Sequence, residues 1–225
     1  MEVHHHPKPI HGWREFLREI GVVVIGVLLA LGAEQLAEAF HWHHEVEVER
    51  AALRAEARAN LTVATYRRSE QACINARLAQ IAVVFVRHTR GEALGLRRPV
   101  ARPPLWTASS GSWDIAVSGQ ALGHMAQKEK LVFSDVFNTY KSFNRLRDEE
   151  DADWRKLALL DHPELLDAND WSRLHGSWSD ALAVGDRIRS ITDDILGRSS
   201  LGVRPDRPPE DQPALHNAFC APLIG

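Results

Sequence analysis

The sequence predicts an all-α protein, an N-terminal transmembrane helix continuing into a periplasmic bundle of four or five helices. Three observations carry that expectation. Residues 20–33 hold no polar side chain, and nothing else in the 225 residues resembles them. Residues 45–86 contain neither Pro nor Gly and are rich in helix formers. Further along, apolar residues recur at helical spacing, and no strand-like alternation competes with them.

The apolar run is short for a membrane span, which needs roughly 20 mainly apolar residues. Its flanks lengthen it. Phe16 and Leu17 extend one side, and Leu36, Ala37, Ala39 and Phe40 the other. A helix over 16–40 reaches about 36 Å, enough to cross the hydrocarbon core. Trp13 and Trp42 bracket it as interfacial aromatics do. Arg18, Glu19, Glu34 and Glu38 fall near the ends, where long side chains reach the headgroups. Lys8, Arg14 and Arg18 precede the run, and no Lys or Arg occurs over 34–49. The positive-inside rule then sets the N-terminus in the cytoplasm and the remainder in the periplasm. A cleaved signal peptide is the competing reading, because Ala37-Glu38-Ala39 has the A-x-A form. Glu2, Glu15, Glu19, Glu34 and Glu38 argue for an uncleaved signal-anchor instead.

Along the anchor, Gly26, Ala30, Ala33 and Ala37 form a small-residue stripe of the kind through which membrane helices pair. It is the expected interface of a homo-oligomer. Before the anchor, residues 1–12 are a polar leader kept extended by Pro7 and Pro9. Its His4, His5 and His6 are read as solvated and not as a metal site.

Past the anchor, Ile74, Leu78, Ile81 and Phe85 mark one face of a long helix with little room for a hinge. The 91–104 connector carries Gly91, Gly95, Pro99, Pro103 and Pro104 with Arg90, Arg97, Arg98 and Arg102. Four arginines there offer an anion or headgroup patch, against the plainer reading of a solvated loop. Ser110 or Ser112 is the expected N-cap of a short helix ending at Gly123. Residues 127–160 form the next helix, with Phe133, Val136, Phe137, Tyr140, Phe143, Trp154 and Leu157 on one face, interrupted by the charged run 145–153. Pro163 marks a break. Asn169 or Asp170 caps the last helix, whose buried stripe is Leu174, Trp178, Ala181, Gly185, Ile188, Thr192 and Ile195. Residues 197–213 are a loop, and 215–224 turn apolar again, as expected of an end that docks back on the bundle.

Cys73 and Cys220 are the two cysteines, and an oxidising compartment permits their pairing. Net charge of −3 and a pI near 6.5 give no electrostatic case for nucleic acid. His41, His44 and Glu45 share a helix face and are weak metal candidates without a distant set of ligands. Ser109, Ser110, Ser112, Asp114, Ser118 and His124 are the residue types of a nucleophilic triad, but no G-x-S-x-G elbow presents them. No P-loop, dinucleotide fingerprint, CxxC or zincin motif occurs. The expectation is therefore no enzyme, no catalytic residue and no cofactor.

The beginning of the chain, Gly12-Trp13-Arg14-Glu15-Phe16-Leu17-Arg18-Glu19-Ile20-Gly21-Val22-Val23-Val24-Ile25-Gly26-Val27-Leu28-Leu29-Ala30-Leu31, resembles a group of uncharacterised bacterial single-pass inner-membrane proteins. In that group a short basic leader ends in a glutamate, a glycine-containing V/I-rich anchor follows, and a long extracytoplasmic helix continues. Ser112-Trp113-Asp114-Ile115-Ala116 and Tyr140 look similar to it as well. The resemblance implies a small inner-membrane protein of Gram-negative type and implies no activity.

The expected organisation is a cytoplasmic leader over 1–12, a transmembrane anchor with interfacial ends over 13–42, a periplasmic helical domain over 43–198, and a C-terminal tail over 199–225 that docks on the bundle. The expected role is interaction or scaffolding, with the lipid bilayer, an envelope protein and a second copy as partners. The alternative is a periplasmic ligand- or metal-sensing domain. The residues before Ile20 are too few for an output domain, so such a sensor acts through a membrane partner.

Overall fold

The computed structural model describes residues 12–197, 201–205 and 219–225. The chain is helical, an N-terminal long apolar helix followed by a helical domain, with no strand among the described residues. Six α-helices occur there: α1 (Trp13–Ser69), α2 (Gln71–Thr89), α3 (Gly111–Ser118), α4 (Ala121–His124), α5 (Gln127–Leu157) and α6 (Ala168–Gly197). Two compact units divide between Val48 and Glu49, a few residues beyond the expected anchor boundary.

The first unit is the N-terminal part of α1. Its apolar side chains lie open, Val22, Leu29 and Phe40 among them. This is the one helix among the described residues that is long and apolar enough to cross a membrane. The leader before Gly12, with its three histidines, lies outside the described residues.

The second unit begins within α1. Leu53, Ala57, Leu61 and Ala64 recur at intervals of three and four and are buried, which is the face this segment turns inward. The expected uninterrupted helix is broken once, at Glu70. There the Ser69 hydroxyl donates to the Tyr66 carbonyl at 2.7 Å, the same acceptor that the Glu70 N–H reaches only at 3.3 Å. A hydroxyl that competes for a helical carbonyl loosens the ladder locally. α2 then buries Ile74, Leu78, Ile81, Val84 and Phe85, and ends in a Schellman turn. Gly91 takes φ +66°, its N–H reaches the His88 carbonyl, and the Glu92 N–H reaches Arg87.

The short helix expected to run to Gly123 is split, α3 ending at Ser118 and α4 starting at Ala121. Ser110 precedes α3, but its hydroxyl bonds the Asp114 carboxylate at 3.0 Å and not a backbone N–H. α5 is continuous through the charged run, where Leu146, Glu150, Asp153 and Trp154 turn into the domain and Arg145, Asp148 and Arg155 face out. A 3-10 turn over Ala158–Asp161 and another over Pro163–Leu165 follow. The cap of α6 is Asp167, two residues before Asn169 and three before Asp170, the expected positions. The Asp170 N–H donates to the Asp167 carboxylate at 2.8 Å, and the Asp167 N–H returns to Asp170 at 3.0 Å. This is the reciprocal logic of a capping box, with Asp in the place of Glu.

α5 and α6 pack along each other, and α2 packs on α6. Trp154, Leu157, Leu160, Trp171, Leu174 and Ala181 meet the buried face of α2 in one cluster. Phe219 and Leu223 of the C-terminal tail complete it. Residues 219–225 lie against the bundle, while 206–218 of the tail expected to dock lie outside the described residues. Leu96 and Ile224 form an antiparallel bridge, the Arg97 N–H donates to the Leu223 carbonyl at 2.9 Å, and Cys73 is bonded to Cys220 across 147 residues.

Candidate functional site

The 92–110 connector is held at several points along its length. Asn60 of α1 exchanges two hydrogen bonds with the Ser109 backbone, at 2.7 and 2.8 Å. Asn144 of α5 does the same with Ala108, at 2.7 and 2.9 Å. The Val100 N–H donates to the Asp161 carboxylate at 2.6 Å. An amide side chain that both donates to and accepts from one residue's backbone gives a loop the pairing that a strand would otherwise supply. The connector is thus a built wall, beyond the solvated loop that its composition suggests.

That wall, α2 and the docked tail enclose a recess of about 350 Å³ lined by Arg77, Arg98, Pro99, Ala101, Arg102, Pro104 and Phe219. Arg77 is 2% exposed. Its guanidinium donates to the carbonyls of Pro99 at 3.1 Å, Phe219 at 2.6 Å and Ala221 at 2.8 Å, and lies 5.4 Å from the centre of the Phe219 ring. Burial pushes the Arg77 pKa down, the Asp161 carboxylate resists, and the Arg98 charge adds to the depression. Arg102 pairs with Asp151 at 2.8 Å, and Asp151 also holds Arg155 at 3.3 Å. Ala101 sits at φ +55°, a left-handed conformation that costs a residue with a Cβ about 1 kcal/mol or more.

Of the connector arginines, Arg98 and Arg102 line this recess, Arg90 pairs loosely with Glu92 at 3.9 Å, and Arg97 belongs to the bridge with the tail. Sequence patterning passes over Arg77. The available signal is a cation within the stripe that runs from Ile74 through Leu78 to Ile81, where a charge is kept only if it is paired.

A second buried polar group joins α1, α2 and α5. Arg67 donates to Glu150 at 2.9 Å and to Gln71 at 2.9 Å, and both members of the ion pair are nearly fully buried. Glu70 accepts from the Trp106 indole at 3.1 Å, and that ring stacks on Tyr66 at 4.5 Å. Burial pushes the Glu70 carboxyl up to about 7, opposed by the Trp106 hydrogen bond and the Arg67 charge, with Glu150 pushing the same way as burial. Glu150 is likewise raised by burial, against the pull of Arg67. One cation thus serves two buried carboxylates, and both bind a proton more tightly than an exposed glutamate does.

A carboxyl raised in the folded state binds its proton more tightly there than in the unfolded chain. Its ionisation therefore lowers stability as pH rises from about 4.5 towards 7. The expected result is a thermal midpoint that falls across this window. Glu70→Gln removes the titration and flattens the difference, as circular dichroism melts of both proteins at pH 5 and pH 8 would register. An unchanged slope in the variant contradicts the assignment.

The other candidates are not drawn into one site. His41, His44 and Glu45 lie on α1, and the described residues contain no group of three or more His, Cys, Asp or Glu placed to hold a metal ion. The serine hydroxyls are engaged locally, Ser109 with Glu56, Ser110 with Asp114, and Ser118 with the Ile115 carbonyl at 2.8 Å. Asp114 is paired with Lys141 at 2.6 Å. Gly26, Ala30, Ala33 and Ala37 all lie on open surface of α1, and a Cβ added at Gly26 would meet nothing within 4 Å. The chain matches no protein-family model, no curated protein and no solved structure.

Proposed function

We propose that this chain is a single-pass protein of a bacterial inner membrane, with its N-terminus in the cytoplasm and its helical domain in the periplasm, working as an interaction or scaffolding module and not as an enzyme. The observation that carries the reading is the pairing, in one chain, of an open apolar helix with a domain closed by a disulfide. Disulfides persist in oxidising compartments, so the bond supports the same side of the membrane as the charge asymmetry around the anchor. The likeness of residues 12–31 to bacterial single-pass proteins supports it further. Ile115 and Val117 on α3 and Leu165 before α6 are largely exposed, and they supply apolar contact points for a partner.

A photo-crosslinking residue at position 115 of the full chain, in native membranes, tests the interaction. The expected product is one discrete adduct, with a second copy or with one envelope protein. Monomer alone, at positions 115 and 165 both, contradicts the reading. A second reading, a ligand-sensing domain that acts through a membrane partner, is favoured by the arginine-lined recess.

A further inference from the structure

We propose that the recess between Arg77, Arg98 and Arg102 is a binding site for a small organic anion, a phosphate or carboxylate group carried on an apolar body. The inference rests on the second reading, a ligand-sensing domain, and names the ligand chemistry.

Three features point there. The first is charge. Asp151 is shared by Arg102 and Arg155, and Asp161 takes up the Val100 N–H. Arg98 has no carboxylate partner among the described residues, although it lies close enough to depress Arg77. Positive charge is left over in a concavity whose walls are of low polarity, where an anion gains more than it would in open water. The second is shape. A volume of about 350 Å³ falls in the range of small-molecule sites. The Phe219 ring and the prolines 99 and 104 suit an apolar body, while guanidinium forks suit planar or tetrahedral oxyanions. The third is pre-organisation. The carbonyls that hold Arg77, the Asp161 bond to Val100 and the left-handed turn at Ala101 fix the rim, and the backbone strain at Ala101 is retained where it helps bring Arg98 and Arg102 to one cavity.

The cavity lined by Arg54, Lys128 and Glu129 is a weaker candidate, because a carboxylate already stands in its wall, 3.9 Å from Arg54 and paired outside the cavity with Arg50 at 2.5 Å.

Calorimetric titration of phenyl phosphate into the full chain, held in phosphatidylcholine nanodiscs at low salt, tests the site. The expected result is saturable one-to-one binding, weakened about tenfold or more by Arg98→Ala, the scale of one charge-assisted hydrogen bond. Arg90→Ala, at the C-terminal end of α2 and outside the recess, is expected to bind like the wild type. Arg98 is exposed, so its truncation leaves the fold in place. Absence of saturable binding, or equal affinity in Arg98→Ala, overturns the proposal. Repeating the titration in nanodiscs containing phosphatidylglycerol assigns the source: lost phenyl phosphate binding identifies a lipid headgroup as ligand, and retained binding a diffusible anion. Failure of the binding titration leaves the crosslinking result untouched, and a failed crosslink leaves the recess intact, so the two readings fall separately.

Discussion

Glu150→Ala is expected to destabilise the helical domain by about 3 to 5 kcal/mol, the usual cost of removing one partner from a buried ion pair. The cost does not come from losing a strong attraction. Desolvation already consumes most of what Arg67 and Glu150 gain from each other. It comes from leaving the Arg67 guanidinium, at 3% side-chain exposure, without the carboxylate it faces at 2.9 Å. Glu70 is not placed to replace it, because its carboxyl is turned to the Trp106 indole at 3.1 Å. Glu150 also reaches the surface of α6, where a Cβ on Gly185 would lie 3.8 Å from its Oε1, so the loss spreads into the packing of α5 on α6. Replacing both charges with apolar groups, Arg67→Met with Glu150→Leu, is expected to recover much of the deficit. Urea titrations followed by tryptophan fluorescence measure all three proteins. A loss under 1 kcal/mol in the single variant contradicts burial of the pair.

Reducing Cys73–Cys220, or replacing both with Ser, is expected to cost a similar amount. A cross-link closing 147 residues removes about 5 kcal/mol of unfolded-chain entropy in the loop-closure account. The effect has a specific structural consequence. The bond ties the tail to α2, and that tail supplies Phe219 and Leu223 to the core and two of the three carbonyls that hold Arg77. Without the bond, residues 219–225 are expected to separate before the rest of the domain, and the anion recess is lost with Phe219. Hydrogen exchange on reduced and oxidised protein reads this directly. The Arg97 and Gly225 amides, paired to Leu223 and Gly95, are expected to lose protection first. Equal protection in both forms contradicts a stapled tail.

Much of this architecture is legible in the residues themselves. The long apolar helix declares itself because residues 20–33 hold no polar side chain, and the stripes of α2, α5 and α6 follow the 3.6-residue period closely enough to name most of the core. The docking of the tail is legible too, since an apolar return after a Pro-rich loop has to be buried somewhere. The misses are local or long-range. The break at Glu70 depends on one hydroxyl, Ser69, choosing a helical carbonyl, and the cap at Asp167 depends on a reciprocal pair that single-residue preferences do not distinguish from Asn169. The candidate site was half visible. Four connector arginines stood out as a group, but which of them converge depends on Asn60, Asn144 and Asp161, each far away in sequence. Arg77 is passed over by the patterning, and the carbonyls of Pro99, Phe219 and Ala221 reveal why a cation can occupy a buried face.

The most direct measurement is thiol alkylation on intact spheroplasts carrying the full chain, with a membrane-impermeant maleimide added before and after a membrane-impermeant phosphine reductant. A disulfide-closed domain on the periplasmic side is expected to take no label at first and two labels after reduction. Labelling without reduction would contradict the bond, and labelling that waits for lysis would put the domain on the other side of the membrane.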